Sequence, residues 1–308
     1  MNSRLTSVGL GLAARPGALI LGIAAIKIAV MFLLIPLVEA TLRGNYGTEF
    51  ADNYDLLART IAGGHGYRFT SDTAPTLMRE PGFPLFLAAV FKIFGYGLDV
   101  VRVLNVAMSS LAAWMIYRFV LALDGRTLVA AAATVLFLGH PGIFVVELRG
   151  GIEGPFIVLR VHFLWRLQKA FTSGALRDYM IAGLCLGVTS LFRGTAVLFP
   201  VFVGGLACLG LLVKRRSIRP QVVSVIVMLG VTCVVMTPWV LRNYLVSGHI
   251  VPTSSVPAIA AHSGLYACAN GQFQPRRFRG VQGPSRLRQG PRVEVPRWGL
   301  LSLLLRDP

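Results

Sequence analysis

Apolar residues run through this chain in blocks, and polar residues collect in the gaps between them. A bilayer core of about 30 Å takes roughly 20 apolar residues in a helix. By that ruler the blocks at 17–40, 100–123, 127–146 and 222–240 read as membrane spans. Three further blocks are weaker: 155–171 is interrupted by Arg160, His162 and Arg166, while 179–191 and 195–213 are separated only by Phe192-Arg193-Gly194. Arg160 and Arg166 are expected on one side of their helix, facing protein or a wet cavity. His140-Pro141-Gly142 breaks the third block near its end, where a proline marks a helix exit. Gly82 to Gly95 (GFPLFLAAVFKIFG) is too short to cross and reads as interfacial or re-entrant.

The polar gap at 41–81 has its own pattern. Within Asp52 to Ala62, Leu56, Leu57, Thr60 and Ile61 recur at helical spacing with the acids elsewhere, which predicts a short helix on the membrane surface. Gly63-Gly64-His65-Gly66 ends it. The fold class is therefore all-α: a polytopic transmembrane helical bundle of about seven spans with an interfacial helix in its first external loop.

Composition excludes an ordinary soluble domain, since only 14% of residues are charged and the mean hydropathy is +0.66, against about 25% charged residues in soluble proteins. Charge then sets the orientation. The N-terminus carries two arginines, Lys214 to Arg219 carries four positive charges, and the loop at 43–81 is net negative. The positive-inside rule puts the basic segments in the cytoplasm and the acidic loop outside. Seven spans satisfy this, whereas an eighth would put the basic loop on the wrong side. Residues 1–16 then form a cytoplasmic N-terminus, 17–244 the transmembrane core, and 245–308 an external loop and tail. Lys27, the one charge inside the first span, is placed to snorkel. That span is too long for a signal-peptide core and is expected to stay as an anchor.

The net charge of +17 does not indicate nucleic acid, because the arginines lie in short gaps and in the tail, not along one face. The tail, Pro275 to Pro308, holds eight arginines, no lysine and many Gly and Pro. It reads either as a disordered basic tail or as the product of a lost reading frame. Cys185, Cys208, Cys233 and Cys268 show neither disulfide nor metal-ligand spacing.

The candidate chemistry sits in the external loop. Glu49, Asp52, Asp55, Asp72 and Glu80 are five of the thirteen acidic residues. Three segments resemble the GT-C class of membrane glycosyltransferases, specifically the bacterial family related to protein mannosyltransferases and aminoarabinose transferases. They are Asp52-Asn53-Tyr54-Asp55-Leu56-Leu57-Ala58 leading to Gly63-Gly64-His65-Gly66-Tyr67, then Arg79-Glu80-Pro81-Gly82-Phe83-Pro84, and then Thr237-Pro238-Trp239-Val240-Leu241-Arg242-Asn243-Tyr244.

The resemblance implies a catalytic acid in the first external loop, a sugar donor carried on polyprenyl phosphate, and an envelope acceptor that is a lipid, polysaccharide or protein. Such a hexosyl or pentosyl transfer is expected to be metal-independent and inverting, with no cofactor, at the outer face of a bacterial inner membrane. It needs a base for the acceptor hydroxyl and cations for the departing phosphate. Asp52 is the expected base, with Asp55 and Glu49 as the alternatives. Arg79, where the family carries a basic residue, is assigned to phosphate, or else to an ion pair with Glu80. Arg193 and Arg242, at predicted external helix ends, could also grip phosphate or simply anchor at the interface. Glu153 would shape the acceptor pocket and Tyr54 would line the sugar or lipid path. The resemblance stops near Asn270, and family members are longer, so the chain reads as a fragment. The competing readings are a transporter or flippase with Lys27, Arg160 and Arg166 along its route, and an inactive truncated form.

Overall fold

The computed structural model of the chain describes residues 15–34, 36, 53–198, 205 and 219–255, and every regular element among them is helical. Glu49, Asp52, the basic segment Lys214 to Ile218 and the arginine-rich tail lie outside the described residues, as does most of the 195–213 block.

Helix α1 (Pro16–Ala29) starts with Pro16 in its first turn, where the missing N–H costs nothing, and runs into a π-helical turn, Val30–Leu34. The surface helix α2 spans Tyr54–Ala62 and the short apolar helix α3 spans Gly82–Phe94. Helix α4 (Leu98–Asp124) ends at Gly125, whose φ of 74° suits glycine and lets the chain reverse into α5 (Thr127–Leu138). Helix α6 (Pro141–Leu148) follows at a bend of 46°. Pro141 cannot donate a backbone hydrogen bond, and the His140 ring accepts one from the Gly142 N–H, so the break is capped. Helices α7 (Glu153–Ser173), α8 (Leu176–Phe192), a 3₁₀ turn at Gly194–Leu198 and α9 (Arg219–Ser247) complete the bundle.

Three described helical stretches are long and apolar enough to cross a membrane alone, Pro16–Leu33, Leu98–Asp124 and Val222–Ser247, and the bent α5–α6 pair makes a fourth. Helix α7 is long enough but carries Glu153, Arg160, Arg166 and Lys169, and α8 has only 17 residues. The chain is thus an all-helical membrane protein with three to four clear spans among the described residues. Helix α3, with 13 residues, is about 20 Å long and too short to cross a core of about 30 Å by itself. Gly82 at its start lies against the Phe192 ring, and the helix that follows its end begins level with the turn after α6, where the Arg102 Nε donates to the Leu148 carbonyl at 2.8 Å.

Close packing of α8 on α9 depends on small residues. A Cβ added at Gly187 would sit 2.6 Å from the Val235 Cβ, and one at Gly183 would strike the backbone of Met228. Without a hydrophobic drive between helices in lipid, such contacts and interhelical hydrogen bonds hold a bundle together. The Thr232 hydroxyl supplies one, donating to the Gly183 carbonyl at 3.0 Å.

Lys27 does not snorkel. It is 7% exposed, and its ammonium donates to both carboxylate oxygens of Glu147 at 2.9 and 3.0 Å. Glu147 lies in the last turn of α6 and is only 2% exposed. A charge this deep in an apolar bundle is tolerable because its partner is there. Arg160 and Arg166 do not share a side either, since six residues at about 100° each leave them about 120° apart around the helix. Arg160 lies exposed near the Phe156 ring, and the Arg166 Nε donates to His162 Nε2 at 3.3 Å.

Candidate active site

One end of the bundle gathers α2, the loop at 63–81, the start of α3, the start of α7, the end of α8 with its 3₁₀ turn, and the end of α9 with residues 248–255. Asn53, in the left-handed region at φ 58°, caps α2. The chain enters the helix through it directly after Asp52, and asparagine is among the few residues that tolerate that conformation. Beneath α2 lies an apolar floor of Tyr54, Ala58, Phe83, Leu87, Ile152 and Phe156. Tyr54 packs edge-on to Phe83 with centroids 5.1 Å apart.

The loop is bound back onto that floor by its own polar groups. The Thr60 hydroxyl donates within α2 and reaches the Arg68 carbonyl, and the Tyr67 hydroxyl lies 3.0 and 2.9 Å from the carbonyls of Arg79 and Glu80. The Tyr67 ring meets Trp239 edge-on at 4.8 Å, and the Arg242 guanidinium sits 5.2 Å from the Tyr67 centroid and 4.9 Å from that of Trp239. Burial pushes the Tyr67 phenol well above its usual value, with the charges of Tyr54 and Glu80 adding to it. Tyr67 is therefore a neutral donor at physiological pH.

Arg242 spends its donors on the loop backbone, on the Thr76 carbonyl at 2.8 Å and the Tyr67 carbonyl at 3.3 Å, and on the Asn243 side chain at 3.1 Å. These bonds staple the loop to α9. Asn243, fully buried, donates to the Val251 carbonyl at 2.9 Å, and the Trp239 indole donates to the Thr253 carbonyl at 2.7 Å, so 251–255 folds over the same corner.

Glu80 closes the loop just before Pro81. Its carboxylate, 9% exposed, accepts from the Gly194 backbone at 3.2 Å and from the Ser254 hydroxyl at 2.9 Å. Gly194 has no room for a Cβ, which would meet the Thr253 hydroxyl. Glu80 is thus the joint between the loop, the end of α8 and the segment after α9, and Arg79 and Arg193 each adjoin that joint by one residue. The Arg79 guanidinium lies 5.3 Å over the Tyr54 ring. Arg193, exposed, lies 3.3 Å from Glu153 and 5.6 Å over Phe156. Asp55, in the first turn of α2, accepts from the Tyr96 hydroxyl at 3.2 Å. Burial and the Asp55 charge raise the Tyr96 phenol.

The expected site residues that are described therefore lie at one end of the molecule: Tyr54 with Arg79, Arg193 with Glu153, Asp55 against Tyr96, Glu80 with Gly194 and Ser254, and Arg242 on the loop backbone. Ser254, Gly194 and Tyr67 complete the corner. Tyr67 and the Trp239–Arg242 segment stood out in the sequence, but nothing there pairs them. Among the described residues no three of His, Cys, Asp and Glu gather as metal ligands would.

No curated protein and no solved structure matches the chain. The family described as dolichyl-phosphate-mannose-protein mannosyltransferase matches residues 75–240, from the end of the loop into α9 and just over half of the chain. The chain belongs to that family, and is a membrane glycosyltransferase of the GT-C type.

Proposed function

We propose that this protein moves a hexosyl or pentosyl group from a polyprenyl-phosphate donor to an envelope acceptor at the outer face of a bacterial inner membrane. Asp52 takes the proton from the acceptor hydroxyl as its oxygen bonds to the anomeric carbon. The sugar–phosphate bond breaks on the opposite side, inverting the centre, and the lipid phosphate leaves with the electron pair. Asp55 and Glu49 are the other candidate bases. Asp55 is the weaker of these two, because it is already engaged by Tyr96. Arg79 and Arg193 grip the departing phosphate, Glu153 steers Arg193 and borders the acceptor, and Tyr54 lines the sugar path beside Arg79. Glu80 and Arg242 hold this arrangement together and leave the phosphate to their neighbours. Seven spans, with the basic segments inside, carry it.

Family membership together with the Glu80–Gly194 hydrogen bond supports this reading, since that bond brings the chain positions of Arg79 and Arg193 to one corner. A transporter route through Lys27, Arg160 and Arg166 has no such support, because Lys27 is locked to Glu147 and the two arginines diverge. In membranes supplied with a polyprenyl-phosphate sugar, Asp52→Asn should reduce transfer by about a hundredfold or more, the scale of a lost general base, while inserting at the normal level. Undiminished transfer would move the base to another carboxylate.

A further inference from the structure

At the end of the bundle away from the catalytic loop, the groove between α4 and α7 encloses about 460 Å³, within the range of small-ligand sites. It is lined by Leu111, Trp114 and Met115 from α4 and by His162, Trp165, Arg166 and Lys169 from α7, so two cations, Arg166 and Lys169, border a mostly apolar surface. Arg118, exposed, adds a further cation 5.3 Å over the Trp114 ring. Among the described residues no carboxylate lines the groove, and Asp178 lies 3.6 Å from the Lys169 ammonium.

Depth matters as much as charge. At 1.5 Å per residue, Lys169 and Arg166 lie about 6 and 10 Å in from the Ser173 end of α7, and Leu111 about 20 Å in from the Asp124 end of α4. The cations therefore sit near headgroup level and the apolar surface runs toward the middle of the bilayer. Basic pockets between membrane helices are the usual seat of anionic headgroups. We propose that this groove binds one phosphate-bearing anionic lipid, its phosphate at Arg166 and Lys169 and one acyl chain along Leu111, Trp114 and Met115. This is a site apart from the transfer chemistry, and it does not depend on which sugar or base that chemistry uses.

The test uses the full chain in detergent, titrated separately with phosphatidylglycerol, phosphatidylcholine and inorganic phosphate, with melting temperature and native mass spectrometry as readouts. Phosphatidylglycerol should add one retained lipid per chain and raise the melting temperature by several degrees, while the other two do neither. Arg166→Gln with Lys169→Gln should weaken the effect roughly tenfold or more. Lys169→Gln alone, at a side chain 57% exposed, preserves folding and should weaken it by a smaller factor. Arg177→Gln, a charge at the same end but outside the groove, should leave it unchanged. Equal stabilisation by phosphatidylcholine would show plain interfacial anchoring, and equal stabilisation by inorganic phosphate would show an anion site without a lipid. Either result overturns the proposal, as does an unaltered response in both glutamine variants or an equal loss in Arg177→Gln.

Discussion

The Tyr67 hydroxyl faces two carbonyls, those of Arg79 and Glu80, and its ring carries Trp239 and Arg242 on top. Tyr67→Phe keeps the stacking and removes the donor, so it should cost about 1–2 kcal/mol of stability and raise KM more than it lowers kcat. Melting in detergent and steady-state kinetics measure both, and an unchanged melting temperature would show that the hydrogen bond holds nothing. Because the folded phenol titrates above its unfolded value of about 10, its contribution is complete below that pH and is lost as pH rises toward the folded value. Wild-type protein should therefore lose melting temperature above about pH 10 more steeply than Tyr67→Phe. At this scale the sequence was only partly legible. Asp55, Arg79, Glu80, Arg193 and Arg242 stood out as polar residues among hydrocarbon. Their partners lie up to 175 positions away, as with Arg242 and the Tyr67 carbonyl, and no local pattern encodes such a pairing.

Elements were easier to read than contacts, because hydrophobic block length and breakers act locally. The surface helix after Asp52, the short α3, the reversal at Gly125 and the break at Pro141 all follow from local residues. What escaped was the ion pair that ties α1 to α6. Lys27 reads as a lone charge within the first span until the two helices are side by side. Removing one partner strands a buried charge. Lys27→Met or Glu147→Leu alone should thus destabilise the protein by about 3–5 kcal/mol, and the double replacement by markedly less than their sum. A double-mutant cycle on unfolding in detergent measures this, and additive losses would mean that the pair is solvated or unformed. The turn from Leu148 to Ile152, which leads to Glu153, hangs on α6 and is gripped from α4 by Arg102 and by Asn105, whose amide donates to the Gly151 carbonyl at 2.9 Å. Loosening the ion pair should therefore also lower transfer.

For the whole molecule, the loop, the turn before Glu153, the turn after Phe192 and the segment after Ser247 meet at one end, and the Asp124–Arg126 turn and the lipid groove lie toward the other. Length and charge alone could not decide how many helices cross. Helix α7 carries four charged residues and α8 has only 17 residues, so neither is a clear span by itself. The central claim is that the corner built on Glu80 faces away from the cytoplasm, where a lipid-carried sugar could meet an envelope acceptor. Its most direct test is labelling of intact cells by a membrane-impermeant maleimide, with a cysteine introduced at Ser71 in the exposed loop or at Arg126 in the opposite turn. Ser71→Cys should label in intact cells and Arg126→Cys only after permeabilisation. The reverse pattern would contradict the account.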